Sequence, residues 1–244
     1  MNLFKRIIEV AFAAIFPKKC IYCGEIIDDG EFLCDGCYES VTEVDSSKRC
    51  LSCGMEKKNC DCKRYVFHFC GCVAPFANDG IIRKIAYSFK FRRKFYYGEF
   101  FSQGMALCVK NELRDIKFDG VCCVPMTLKK RLKRGYNQGE ILARRVSDIL
   151  GIPYIENALV CRRNGRSQHE LTKDERFRNV RGLYSYKYRN DGKTLLLVDD
   201  IKTTGATLDE CARQLLFSGA YRVYCVTALI SLNKNSSERN KNGN

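Results

Sequence analysis

The stretch at 194–208, TLLLVDDIKTTGATL, constrains this chain more than any other. Leu195, Leu196, Leu197 and Val198 form an unbroken apolar run, which suits a strand covered on both faces, as in a parallel sheet. Asp199 and Asp200 arrive where such a strand ends. Residues 201–207 make a threonine-rich loop with one glycine, after which Leu208, Ala212, Leu215 and Leu216 recur at helical spacing. The expected order is strand, acidic pair, small-residue loop, helix.

That order carries chemistry. Ligands of open α/β sheets sit beyond the carboxyl ends of the strands. A helix N-terminus offers backbone N–H groups and a positive dipole end, which suit a phosphate. Gly205 lets the backbone come close or take a positive φ, and Thr203, Thr204 and Thr207 add hydroxyl donors around Ala206. Carboxylates repel a phosphate. Asp199 and Asp200 therefore fit better as acceptors from sugar hydroxyls, or as help in placing a divalent cation. The implied ligand is a sugar phosphate. Neither GxxxxGK[ST] nor GxGxxG is present in this stretch, and the bland alternative is a βα turn capped by Thr or Asp. The stretch closely resembles the phosphoribosyl-pyrophosphate motif of type I phosphoribosyltransferases.

Residues 20–62 hold eight cysteines in four close pairs: Cys20 with Cys23, Cys34 with Cys37, Cys50 with Cys53, and Cys60 with Cys62. Two thiolates at such spacing grip one tetrahedral zinc from a tight knuckle, and four sulfurs close a structural site. Gly24 and Gly54 follow two of the pairs, where the knuckle needs a permissive backbone. So short a segment has too little core to fold alone, and metal binding would supply the missing stability. Two structural Zn2+ ions are expected. Sequential pairing would put the first four cysteines on one ion and the last four on the other; cross-braced pairing also fits the spacing. Cys70 and Cys72 lie in an alternating stretch at 66–76 that reads as a strand, and both are expected as core thiols. His68 reads as an ordinary strand residue.

The chain has 244 residues, enough for one α/β domain and a small second module. Its net charge of +14, from 42 Lys and Arg against 28 Asp and Glu, favours polyanionic partners or nucleotide-like ligands. Sixteen cysteines beside a nucleotide-type site point to reduced thiols and to the cytoplasm. Leu3, Phe4, Ile7, Ile8, Ala11, Phe12 and Ile15 predict an amphipathic helix ahead of Pro17. That segment is too short to span a bilayer, and Glu9 interrupts it without a small-residue cleavage site after it.

Helices are expected over 79–91 and about 97–113. The first ends in Lys84, Lys90, Arg92, Arg93 and Lys94, with Phe91, Phe95, Tyr96 and Tyr97 interleaved. Two accounts fit: cations complementing a helix C-terminus, or an anion-facing patch like those of single-strand binders. A strand at 121–124 leads into a basic loop at 126–138, with Lys129, Lys130, Arg131, Lys133 and Arg134, and then a helix. A short strand at 159–161 precedes a long charged stretch at 162–180, expected as a cationic lid. His169 falls within that lid with no assigned role. Residues 221–232 give the last strand, and 233–244 read as a disordered tail. The expected divisions are a helix over 1–17, a double ribbon over 18–64, an α/β domain over 65–232, and the tail.

The whole chain resembles the ComF family, linked to natural competence. Arg131, Arg134, Gly135, Asn137 and Gln138 match its R-x-x-R-G-x-N-Q pattern, after Pro125. Gln168, Leu171, Arg176, Asn179 and Val180 match its Q-x-x-L-x-x-x-x-R-x-x-N-V stretch. Asp199, Asp200, Thr203, Thr204, Gly205 and Thr207 match its sugar-phosphate signature, and Lys90 stands where the family has a lysine. Lys202 fills a variable place. The resemblance implies a double zinc ribbon ahead of a type I phosphoribosyltransferase-like domain, an α/β fold with a mostly parallel sheet flanked by helices.

The resemblance also implies roles. Asp199 and Asp200 would hold the ribose hydroxyls of phosphoribosyl pyrophosphate, with Mg2+ bridging ribose and pyrophosphate oxygens. Thr203, Thr204, Gly205, Ala206 and Thr207 would hold the 5′-phosphate. Met126, Thr127, Arg131, Arg134 and Lys90 would add phosphate contacts, and Arg163, Gln168 and Arg176 would close the lid. Single-stranded DNA is the implied macromolecular partner, with a DNA-uptake helicase or other competence proteins beside it. Two alternatives remain open: an active phosphoribosyltransferase of nucleotide metabolism or salvage, and a non-catalytic sensor of phosphoribosyl pyrophosphate. No residue in the sequence selects an acceptor.

Overall fold

A computed structural model of the chain describes residues 16–60, 62–162 and 172–232. Its strands are β1 (Gly71–Val73), β2 (Phe76–Ala77), β3 (Gly120–Cys123), β4 (Leu159–Cys161), β5 (Tyr184–Tyr186), β6 (Thr194–Lys202) and β7 (Arg222–Ile230). Its longer helices are α1 (Gly80–Phe91), α2 (Tyr97–Glu112), α3 (Leu128–Arg134), α4 (Gln138–Leu150), α5 (Lys173–Val180) and α6 (Ala206–Phe217). β3, β6 and β7 lie side by side and parallel, and β1 and β2 share the far edge of β7, also parallel. β4 and β5 form a separate antiparallel pair.

The apolar run of β6 explains this layering. Side chains alternate between the faces of a strand. Leu196 and Val198 join Phe89, Phe101, Met105, Leu142 and Val146, from α1, α2 and α4, in one core. Leu195 and Leu197 join Leu208, Cys211, Ala212 and Leu215 of α6 in the other. All four strand residues are fully buried, each contributing about 1.5–3 kcal/mol by leaving water. A polar residue in this run would lie in one core or the other.

The cysteine-rich segment is built into the sheet edge. Glu43 pairs antiparallel with Phe76 of β2. Val44 N–H donates to the Pro75 carbonyl at 2.9 Å, and Cys72 N–H to the Leu51 carbonyl at 2.9 Å. Arg49 pins the joint. Its guanidinium is buried, pairs with Glu112 of α2 at 2.9 Å, and donates to the Ala74 carbonyl.

Several expectations change. The strand expected over 66–76 is reduced to β1 and β2, interrupted at Pro75, which has no N–H to give. Cys72 is buried as expected, but Cys70 is exposed. The basic stretch at 126–138 is mostly helical: Thr127 caps α3 by accepting from Lys130 N–H, and Gly135 ends it at φ +84°. The end of the charged stretch is also helical, because Thr172 and Glu175 form a complete capping box for α5. Residues 1–15 of the helix expected over 1–17, the tail at 233–244, and Arg163, Gln168 and His169 lie outside the described residues. Among the described residues no helix is long and apolar enough to cross a membrane.

Removing one partner of a buried ion pair leaves a charge unpaired in a dry place. Arg49→Ala is expected to lower the free energy of unfolding by about 3–5 kcal/mol, read by urea denaturation. A loss below about 1 kcal/mol, the size typical of an exposed pair, would show that the joint does not hold the ribbons to the sheet.

Candidate functional site

β6 ends at Lys202 and α6 begins at Ala206, so Thr203, Thr204 and Gly205 make the whole turn. Gly205 sits at φ +85°. A Cβ there would stand 3.1 Å from Lys202 Cε and 3.2 Å from Phe67 Cε1. The conformation therefore favours glycine, and any Cβ would crowd both neighbours. Thr204 Oγ1 accepts from Ala206 N–H at 3.4 Å. Arg176 reaches across from α5 and donates to Thr203 Oγ1 at 3.2 Å, so this one described lid residue meets the loop. Thr207 occupies the first turn of α6 and is partly exposed. Beneath the turn, the Lys202 side chain is buried, with its ammonium 5.9 Å from the Phe67 ring centre.

The acidic pair lies just before the turn. Asp199 accepts from Asp200 N–H at 2.8 Å, and Asp200 pairs with Lys90 Nζ at 2.8 Å. Lys90 arrives from the last turn of α1 and is held by its backbone. Gln138, fully buried, donates to the Lys90 carbonyl at 3.2 Å, and Tyr136 Oη donates to the Phe89 carbonyl. Arg134 donates to Gln138 Oε1 at 3.0 Å. Asn137 caps α4 and donates to the Val124 carbonyl at 3.4 Å. Arg134, Tyr136, Asn137 and Gln138 thus form a frame that aims Lys90 at Asp200.

The other expected phosphate contacts stand differently. Arg134 also stacks on Phe91, 4.8 Å from its centre, and Arg131 lies 3.8 Å from Glu140. Thr127 is occupied as the α3 cap beside a partly buried Met126. Burial, and next the Asp200 charge, push the Asp199 carboxyl up to about 8, against the pull of Asp200 N–H and Lys90. Chemically the loop offers amide and hydroxyl donors beside paired carboxylates, a set that fits a phosphorylated polyol.

The eight paired cysteines form two groups in sequence order. Cys20, Cys23, Cys34 and Cys37 make one, and Cys50, Cys53, Cys60 and Cys62 the other, with all four sulfurs of each within 4.8 Å of one another. Sulfur separations of 3.6 Å for Cys23 and Cys34, 3.8 Å for Cys50 and Cys62, and 3.6 Å for Cys53 and Cys60 are close to a zinc tetrahedron's edge of about 3.8 Å. Burial opposes ionisation of Cys20, but backbone N–H groups of Cys23, Cys34 and Tyr22 outweigh it and lower the thiol to about 6. Burial, together with Cys23 and Cys20, raises Cys37 to about 11. One thiolate thus discourages others, and four ionise together only around a cation. Both clusters fit Zn2+.

Sequence reasoning missed the stretch at 64–69. Phe67 touches the loop at Gly205, and the adjacent His68 bonds Asp209 of α6 through its backbone N–H at 2.6 Å and Nδ1 at 3.1 Å. The signal was the aromatic alternation of Tyr65, Phe67 and Phe69 directly after the last paired cysteine.

Comparison with known proteins places these features together. A model of the double zinc ribbon domain matches residues 11–74. Competence protein F of Haemophilus influenzae is 26% identical over 218 residues, 82% of this chain and 91% of that protein. DNA utilization protein YhgH of Escherichia coli K12 is 31% identical over 110 residues, 44% of this chain and 48%, about half, of that protein. Purine phosphoribosyltransferase from Pyrococcus horikoshii superposes loosely, at a TM-score of 0.35 and 18% identity over 54% of this chain and 83% of that one. The fold and clusters define a double cysteine ribbon carried on the edge of a parallel α/β domain. Within that class, the chain is similar to competence protein ComFC of Streptococcus pneumoniae, 24% identical over 220 residues, 83% of this chain and 95% of that protein.

Two measurements check the site. Cys37→Ser and Cys60→Ser should each remove one of about two zinc ions per chain, read by atomic emission; unchanged metal content would show that these cysteines do not hold the ions. Asp199 tests the acidic pair by its sign. An acid whose folded pKa is raised contributes stability that is fully present below its unfolded value, and loses it as pH rises through the folded value. Between about pH 4 and 8, wild type should lose stability relative to Asp199→Asn. A constant difference across that window would mean that Asp199 ionises normally.

Proposed function

We propose that this chain is a cytoplasmic ComF-type protein that handles single-stranded DNA in natural transformation and binds phosphoribosyl pyrophosphate at the loop after β6. The relatives' names, a competence protein and a DNA utilization protein, support the first half. The donor set of the loop and the acidic pair support the second.

One observation carries the reading. Lys90 belongs to two places at once: its Nζ meets Asp200, and its backbone opens the basic turn that follows α1. Residues 80–98 hold six Lys and Arg, residues 126–138 hold five, and neither stretch has an Asp or Glu. Their contacts bring them side by side: Arg134 on Phe91, and Phe95 edge-on to Tyr136 at 4.6 Å. Phe91, Phe95 and Tyr96 stand exposed among the cations. Exposed rings among cations match what a single strand needs, bases on the rings and phosphates on the charges. That surface borders the acidic pair through Lys90.

At the loop, the first-turn amides of α6 and the hydroxyls of Thr203, Thr204 and Thr207 would take the 5′-phosphate. Asp199 and Asp200 would accept from the ribose hydroxyls, which requires Lys90 to share or leave Asp200. Two carboxylates are hard oxygen donors that fit Mg2+, which when bound with the ligand would neutralise the pyrophosphate.

Single-stranded DNA should bind with a steep salt dependence, and Phe91→Ala with Tyr96→Ala should weaken it by about tenfold or more. Salt-insensitive binding, or full binding by the double variant, would remove the DNA half of the reading. Asp200→Ala should abolish the heat of phosphoribosyl pyrophosphate titration in Mg2+ while zinc content stays unchanged. A wild type that shows no such heat removes the ligand half.

A further inference from the structure

The linker at 64–69 begins two residues after Cys62, the last ligand position of the second cysteine cluster. It then contacts both halves of the loop site. Arg64 pairs with Asp174 of α5 at 2.8 Å, and Tyr65 Oη donates to the same carboxylate. The Tyr65 ring stacks on Phe177 of α5, with centres 5.1 Å apart and planes 9° from parallel. α5 is the helix whose Arg176 donates to Thr203. Phe67 leans on Phe177 at 6.2 Å, stacks on Phe69 at 4.7 Å, and would stand 3.2 Å from a Cβ at Gly205. His68 holds Asp209 in the first turn of α6.

Phe67 also packs against the other end of this chain of contacts. It lies on the small core of Cys53, Met55, Ala74 and Ile230, which Cys60 and Cys62 also flank. One ring therefore touches the surroundings of the second metal position and the turn of the loop. The first cluster is placed otherwise: Cys20, Ile21 and Leu33 pack into the core with α1 and α2, on the opposite face of the sheet from α6.

We propose that Tyr65, Phe67 and His68 are positioning residues of the sugar-phosphate loop, and that metal in the second cluster, not the first, sets the order of that loop. The proposal rests on the loop being the ligand site. The metal fixes where the chain leaves Cys62. The rings then hold α5 and the turn at Gly205 in place. By linkage, whatever orders the loop must in turn tighten the second cluster's hold on its metal.

The test is amide hydrogen exchange on the full chain, without ligand, in Cys60→Ser, Cys37→Ser and Phe67→Leu. Cys60→Ser should speed exchange at 173–180 and 203–207, and Cys37→Ser should leave both segments as in wild type. Phe67→Leu should keep both metals, shown by zinc content, and speed exchange at the same segments about three- to tenfold, the size of one lost aromatic pair. Wild-type exchange in Phe67→Leu, or equal effects from the two cysteine variants, would overturn the proposal. Because Phe67→Leu retains its metals, a general folding defect in Cys60→Ser cannot imitate the result. Titration of the same wild-type sample with phosphoribosyl pyrophosphate judges the ligand reading separately. Exchange that rises as expected without ligand heat would sustain the linkage and sink the ligand.

Discussion

Two-sided burial of β6 governs the rest of the molecule. Because Leu195 to Val198 feed two cores in turn, the strand must lie between β3 and β7, with helices above and below. Charge can begin only where that cover stops. Asp199 and Asp200 come at that limit, still enclosed enough that burial pushes the Asp199 carboxyl up. Adjacent carboxylates in such a place need a cation, and Lys90 supplies it. Lys90 in turn needs its backbone fixed, which Gln138 and Tyr136 do. The basic motif before α4 is therefore explained first as scaffolding for one lysine, and only second as a row of charges.

Much of this was legible in the sequence, and the limits are physical. β6, α1 and α2 were readable because each has a buried stripe of the right period. α3 was not, since it has no buried residue and its helicity comes from a threonine cap and long side chains. The spacing of the cysteines announced two tetrahedral sites but not their grouping, which depends on how the chain between Cys37 and Cys50 folds back. Tyr65, Phe67 and Phe69 alternate as a strand would, yet their rings contact one another and Phe177 where no ladder forms. Pairs such as Arg49 with Glu112, or Lys90 with Asp200, leave no mark in a single sequence, because nothing local distinguishes the chosen partner.

Lys202 shows how a place that looked free can be tightly fixed. In the sequence it stood between acidic pair and threonines as an ordinary variable residue. In the fold it is the last residue of β6, and its side chain is buried after three partly exposed positions. Its side chain runs under the turn, against the space that a Cβ on Gly205 would need. The glycine and the lysine are thus one steric unit, with Phe67 as its third wall.

The sheet edges give the cysteine ribbons a structural meaning. An open edge strand presents unpaired N–H and C=O groups to any passing chain. On the β3 side, Val121 pairs with the segment at Tyr154. On the β1 and β2 side, the cover comes from the ribbon segment, through Glu43, Val44 and Leu51. That cover is only as firm as the fold of a segment with little core of its own, and its thiols resist ionising together without a cation. Metal and sheet edge would therefore be coupled: an ion held by these cysteines would organise the ribbon segment that covers the β1 and β2 edge. A double ribbon in this position belongs to the α/β domain's own construction, whatever else its outer face contacts.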